Sequence, residues 1–314
     1  MFVGVDLGGT NIAAAAGDAD GRIVRERSIP TLSHEGPTAV LERVAQLVRD
    51  VGGNHLSAVG LGLPGTLDRA SGVVRFLPNL PGNWRNVPVG KPLSAALGCP
   101  VHLLNDARLA ALGELAYGWG QHYRTLVLFT LGTGVGGGVI IDGRLRLGPF
   151  GAAGEVGHQT IIPDGPLCGC GNRGCLETLA SGPAITFEAI RLMRSGMAPR
   201  LHELTAGDAS RVSPREVASA AAAGDQHLAD ALERVAGYLA IAAANLINIL
   251  HPDLIVLAGG VAAMGEPLLG PLRAAVGRRV GMFPADSVMI ERSALEDRAG
   301  VLGGIALAAR GGEV

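Results

Sequence analysis

Cys168, Cys170 and Cys175 fall within eight residues, and His158 precedes the first of them by ten. Three thiolates and one imidazole make a closed tetrahedral set, the donor chemistry of structural zinc. Gly169, Gly171 and Gly174 let so short a loop wrap an ion. The alternative is a group of buried thiols beside an unrelated histidine; spacing and composition favour zinc. Glu155 and Glu177 flank the cluster. A zinc-pinned loop would fix their carboxylates for binding hydroxyls, whereas a glutamate is by default a surface residue.

Two glycine turns could do different chemistry. Phosphate needs several N–H donors close by, and glycine lets the backbone approach without a Cβ in the way. Asp6-Leu7-Gly8-Gly9-Thr10 offers such donors, a hydroxyl, and a carboxylate able to hold Mg²⁺ through water. Gly132-Thr133-Gly134 offers a second set. Neither carries the Gly-Lys-Ser/Thr ending of a Walker loop. Either alone reads as a tight hairpin turn; the pair, in matching contexts and each with a Thr, reads as phosphate loops.

Asn105-Asp106 stands where a strand passes into a helix. Asp106 there suits a helix N-cap. The other reading, which local evidence favours less than the cap, is a general base at the strand ends, where ligands gather in α/β sheets. The two roles are compatible. Trp84 suits a sugar pocket or plain packing. Cys99, between Gly98 and Pro100, reads as a small buried hydrophobe. The other histidines form no ligand-like pattern.

These residues need elements to hold them. Phe2–Asp6, Ile12–Ala16 and Ile23–Arg27 read as strands joined by a glycine turn and by Asp20-Gly21. A helix follows over Pro37–Val51, then a strand over Leu56–Leu63. Val101–Leu104 is a short buried strand and Asp106–Tyr117 the helix after it. Leu126–Leu131 enters the second glycine turn and leaves as Val139–Ile141, repeating the first hairpin and suggesting an internal duplication. Ser213-Pro214-Arg215-Glu216 is a capping box with Pro at the first helical position. A long apolar helix face runs from Leu232 to Leu250 and ends at His251-Pro252. Leu254–Ala258 is a strand, and Gly300–Arg310 a helix of small residues. Strands, helices and antiparallel hairpins together predict an α/β protein with mixed sheets.

Composition narrows the class. The 314 residues suffice for two lobes sharing a cleft. Hydrophobic residues at 48% and charged residues at 17% describe a folded chain. A net charge of −2 without a Lys/Arg block disfavours nucleic-acid binding. No apolar run is long enough to span a membrane. Met1–Asp6 lacks the basic and apolar regions of a signal peptide, so a cytoplasmic protein is expected.

Taken together, these motifs resemble the ROK family of sugar kinases and repressors over essentially the whole chain. Asp6–Thr10 matches its first phosphate signature and Leu131–Val139 its second. Leu61–Gly65 matches its second strand-turn. Pro78-Asn79 and Leu104–Asp106 match its sugar-binding and catalytic segments. Gly154–His158 with Cys168–Glu177 matches its sugar and zinc signature, the most specific part. Ala258–Val261 resembles the adenosine-side glycine turn. Asn11 stands where many members carry Lys, and Asn83 is an extra residue before Trp84.

The resemblance implies a two-lobed actin/hexokinase-like, ribonuclease H-like ATPase fold with a cleft between lobes. It implies a small domain over 1–118, a large one over 119–298, and a C-terminal helix in 299–314 returning to the small domain. It implies Asp106 as base, and Gly65, Asn79, Asn105, Glu155, His158 and Glu177 around the sugar. His158, Cys168, Cys170 and Cys175 would hold structural zinc. Asp6, Gly8, Gly9, Thr10, Asn11, Gly132, Thr133, Gly134, Gly259 and Gly260 would hold ATP with Mg²⁺. The complete set looks most like the glucokinases, which phosphorylate glucose at the 6-hydroxyl, and homodimers are common among relatives. Alternatives are N-acetylmannosamine, N-acetylglucosamine, mannose or fructose as acceptor, polyphosphate as donor, or a sugar-sensing regulator. The regulators carry an N-terminal DNA-binding domain, for which a first strand at Phe2 leaves no room.

Overall fold

Val3, Val5 and Leu7 place apolar side chains along strand β1, Phe2–Leu7. The turn after it sends the chain back as β2, Asn11–Gly17, with Phe2 opposite Gly17 and Leu7 opposite Ile12. Asp18 accepts the amides of Asp20 and Arg22 and so closes the next turn, after which β3, Ile23–Pro30, pairs antiparallel with β2. The chain then forms β4, Ala58–Leu63, followed by β5 (Thr66–Asp68), β6 (Val73–Phe76) and β7 (Val87–Pro88), which make a small sheet of their own. With β8, Val101–Asn105, the first large sheet is complete in the order β3-β2-β1-β4-β8. The pairs β1/β4 and β4/β8 are parallel.

The computed structural model describes residues 1–53, 55–77 and 80–314. Among them a second large sheet runs β11-β10-β9-β12-β13. Its strands are β9 (Leu126–Leu131), β10 (Val135–Ile141), β11 (Arg144–Arg146), β12 (Leu254–Ala258) and β13 (Met289–Arg292). Both large sheets set a hairpin on one flank of their first strand and two parallel strands on the other. This shared plan agrees with the duplication that the two glycine hairpins predict. Mixed sheets with intervening helices make an α/β fold. No helix of the described residues is long and apolar enough to cross a membrane.

The chain divides into two compact units. One comprises Met1–Arg124, Gly138–Gly154 and Ser293–Val314; the other comprises Thr125–Gly137 and Glu155–Arg292. In the first, Val40, Val44, Leu47, Val48 and Val51 form one face of the Pro37–Gly52 helix, and that face is buried in one cluster with Val3, Val5 and Leu61. Trp84 joins this core, its indole N–H donating to Pro81 O at 3.2 Å. Of the two readings the sequence allows for Trp84, the structure shows packing.

The Ala299–Ala309 helix is buried along nearly its whole length. Its small residues have a physical reason. A Cβ at Gly304 would overlap the Gly60 carbonyl and the Cα of Gly4, and one at Gly303 would overlap the Leu109 carbonyl. Backbone here lies directly on backbone, and only glycine permits that approach.

Candidate active site and metal centre

In the first unit the ends of β1, β4 and β8 lead into the candidate residues Asp6, Gly65, Asn105 and Asp106. Past Asp6 the chain turns sharply, and Gly8 N donates to Asn11 O at 2.9 Å. Thr31, fully buried, holds this turn from outside: its amide donates to Thr10 O and its hydroxyl to Gly8 O, each at 2.8 Å. Sequence reasoning missed Thr31, which lies far along the chain in no motif.

Asp6 is half-buried, with its carboxylate against the Cα of Gly300, where a Cβ would overlap it. Burial, and then the negative charge of Asp106, raise its pKa from 3.8 to about 7. Carboxylate oxygens are the donor type that magnesium takes, and Asp6 and Asp106 supply them here.

Asn105 ends β8 with extended backbone, φ −64° and ψ 143°, and caps the Asp106–Tyr117 helix. Its Oδ1 accepts from Ala107 N at 3.1 Å and Arg108 N at 3.3 Å. The expected cap at Asp106 is thus corrected: Asn105 is the cap and Asp106 the first helical residue. Asp106 Oδ1 still accepts from Ala107 N at 2.8 Å, which fixes the carboxylate at the helix N-terminus.

Asn105 Nδ2 donates to Gly65 O at 3.1 Å. Gly65 has φ +79° and no room for a Cβ beside Phe76 O, so glycine is required there. Asn105, Asp106 and Gly65 are therefore assembled as one group, with Asp6 electrostatically coupled to it. Arg108, a residue no motif singles out, is 1% exposed and reaches back to the same amide. Asn79 lies outside the described residues.

In the second unit the loop Gly132–Gly134 joins β9 to β10. Gly132 N donates to Gly134 O at 2.9 Å. Gly259, with φ +90°, lies against the Leu131 carbonyl, and Val261 N donates to that carbonyl at 3.0 Å. The structure thereby brings the second glycine loop and the Gly259-Gly260 turn to one place. Glu177 joins them, its Oε2 accepting from Val135 N at 3.0 Å.

His158, Cys168, Cys170 and Cys175 present ligand atoms within 4.8 Å of one another. Cys168 Sγ lies 3.6 Å from His158 Nδ1, and Cys170 Sγ lies 3.7 Å from Cys175 Sγ. The other ring nitrogen, Nε2, stands 3.8 Å from Glu155 Oε2. At that distance the two are within ion-pair reach but share no hydrogen bond. The Asn172 amide lowers the pKa of Cys170, while burial first and then the neighbouring thiols push Cys175 up to about 12. Three thiols and one imidazole with donor atoms so close together fit zinc.

The ROK family model matches residues 2–310. The glucokinase of Thermotoga maritima is 38% identical over 306 residues, covering 96% of this chain and 95% of that protein. A crystal structure of a ROK family glucokinase from Streptomyces griseus, in complex with glucose and AMPPNP, superposes with a TM-score of 0.88 at 34% identity. That match covers 98% of this chain and 99% of the other. The ROK hexokinase of Thermus thermophilus superposes at 0.79 with 36% identity, over 99% of this chain and 98% of that one. The fold is accordingly the two-lobed actin/hexokinase-like one, and the His158–Cys175 cluster is consistent with the zinc motif of that group. The chain belongs to the ROK family.

Proposed function

We propose that this protein is a cytoplasmic kinase that transfers the γ-phosphoryl group of ATP to the 6-hydroxyl of a hexose, with glucose the preferred acceptor. The observation that carries the reading is the Asn105–Asp106 pair: a carboxylate fixed at a helix N-terminus beside an amide whose orientation is already set. The likeness to a glucokinase solved with glucose and AMPPNP supports the acceptor and the donor.

In the proposed reaction Asp106 takes the proton of the 6-hydroxyl as its oxygen bonds to the γ-phosphorus. The bond from that phosphorus to the β,γ-bridging oxygen breaks, and ADP leaves. Asn105, with one amide hydrogen on Gly65 O, has the other for a sugar oxygen. Asn79, Glu155, His158 and Glu177 are the proposed further hydroxyl ligands, and orientation by several such groups is worth a large part of the barrier. The two glycine loops and the Gly259-Gly260 turn would supply N–H donors to the phosphates. Asp6 would hold magnesium, which neutralises phosphate charge when bound with ATP. Zinc, held by His158 and the three cysteines, would supply a rigid crosslink.

A coupled ADP-release assay across glucose, mannose, fructose, N-acetylglucosamine and N-acetylmannosamine tests the reading. Glucose should give the highest kcat/KM. A higher value with an N-acetylhexosamine would reassign the acceptor, and no ADP release with any sugar would refute kinase activity.

A further inference from the structure

The zinc knot has two arms, and both reach the second glycine loop. The first arm carries His158. Its neighbour Gly157 lies against the backbone of Val135, so closely that a Cβ there would overlap the Val135 carbonyl oxygen. The second arm leaves Cys175 and carries Glu177, whose Oε2 accepts the Val135 amide at 3.0 Å. Five residues further on, Gly182 N donates to Gly132 O at 2.8 Å. The arms are also tied to each other, since Leu176 N donates to Gln159 O at 2.9 Å.

Glu177 connects the cluster to the loop most directly. It stands two residues after the proposed ligand Cys175, and its Oε2 holds Val135 N at 3.0 Å. A Cβ at Gly134 would overlap this carboxylate, so the loop and the glutamate are in full contact. The knot therefore grips the loop at both faces of Val135 and at Gly132.

We infer that the metal knot sets the conformation of the Gly132–Val135 loop through Glu177, so that loss of the metal weakens nucleotide binding as well as sugar binding. The coupling rests on the assignment of this loop to the phosphates of ATP. Glu177 is then a positioning residue for the nucleotide, acting through the Val135 amide, in addition to its proposed place beside the sugar.

The test needs no turnover. AMPPNP with Mg²⁺ is titrated calorimetrically into the sugar-free protein, and hydrogen exchange is followed in the 131–137 segment. Glu177→Ala keeps all four metal ligands and should retain its zinc. It should bind AMPPNP about 10- to 100-fold more weakly, the range set by losing a hydrogen bond to a charged group. Exchange at the Val135 amide should accelerate. Glu177→Gln should recover part of both losses, because its amide oxygen still accepts from Val135 N. Stripping zinc from the wild type should accelerate the same amide, an arm that depends on no variant.

Unchanged AMPPNP affinity in Glu177→Ala, or unchanged exchange in 131–137 after zinc removal, would overturn the coupling. Failure of the kinase reading looks different. The wild type would then not bind AMPPNP at all, while the exchange arms would still decide whether the knot holds the loop.

Discussion

Arg108 Nη1 donates to Asn105 Oδ1 at 2.9 Å, setting a fully buried guanidinium on the amide beside the proposed base. Two further donors bind the chain just ahead of Glu155: Nε to Ala153 O at 3.0 Å and Nη2 to Ala152 O at 3.1 Å. One side chain thus fixes the Asn105 flip state, the helix cap and the backbone of residues 152–153. The Asn105 oxygen, with three donors upon it, presents only N–H to a ligand.

Arg108→Lys should show what this fork is worth. A lysine keeps the charge but cannot reach three acceptors in a fixed plane. Hexose KM should rise about tenfold or more, on the scale of about 1.4 kcal/mol per decade, with AMPPNP affinity nearly unchanged. Steady-state kinetics and calorimetry on one preparation check it. Equal losses for sugar and nucleotide would mean that Arg108 serves the fold generally and not Asn105.

Asp6 predicts a pH signature. Its folded pKa of about 7 lies above its reference of 3.8. Below about 3.8 it is protonated in both states and contributes nothing. Between those values the folded state binds more protons than the unfolded one, so stability falls as pH rises, and above about 7 the cost is complete. Asp6→Asn removes that cost. Its melting temperature relative to wild type should climb as pH rises from about 4 to about 8. A difference that stays flat over this range would contradict the crowded carboxylate.

Zinc uptake should release protons, because Cys175, pushed up to about 12, must give up its proton to become a ligand. Calorimetric titrations of zinc in buffers of different ionisation enthalpy should therefore give different apparent enthalpies. Cys170→Ser should lose the metal and, because Glu155 and Glu177 flank the same knot, lose sugar affinity too. Full sugar affinity in a metal-free protein would break the link between knot and acceptor.

Glu155→Gln separates acceptor from donor. The carboxylate stands 3.8 Å from His158 Nε2 and offers two accepting oxygens, whereas the amide offers one acceptor and one donor. Sugar KM should rise while AMPPNP binding stays nearly intact. Equal weakening of both would place Glu155 elsewhere than at the sugar.

The parts of this molecule legible in sequence are those whose chemistry is local. Three cysteines and a histidine at metal spacing need no knowledge of the fold, and the structure places their donor atoms together. The glycine hairpins are equally local, and their matching strand plans follow. Long-range relations were not legible. Arg108 reads as an ordinary helical arginine until the loop at Ala152–Ala153 folds over it. Thr31 holds the first glycine turn from another strand end. Gly300 looks like one more small residue until Asp6 is seen against it. The exchange of cap roles between Asn105 and Asp106 is a matter of one residue, finer than helix boundaries read from sequence.

Asp106→Asn tests the centre of the account. The cap belongs to Asn105, and an amide oxygen at position 106 can still accept from Ala107 N, so folding and zinc content should stay near wild type. Glucose should still bind measurably. An amide has no useful proton affinity, and general-base catalysis is worth about 10²–10⁴-fold. The coupled assay should therefore show kcat lowered by at least about a hundredfold on that scale. Turnover near wild type in a folded, zinc-loaded Asp106→Asn protein would contradict the assignment of Asp106 as the base.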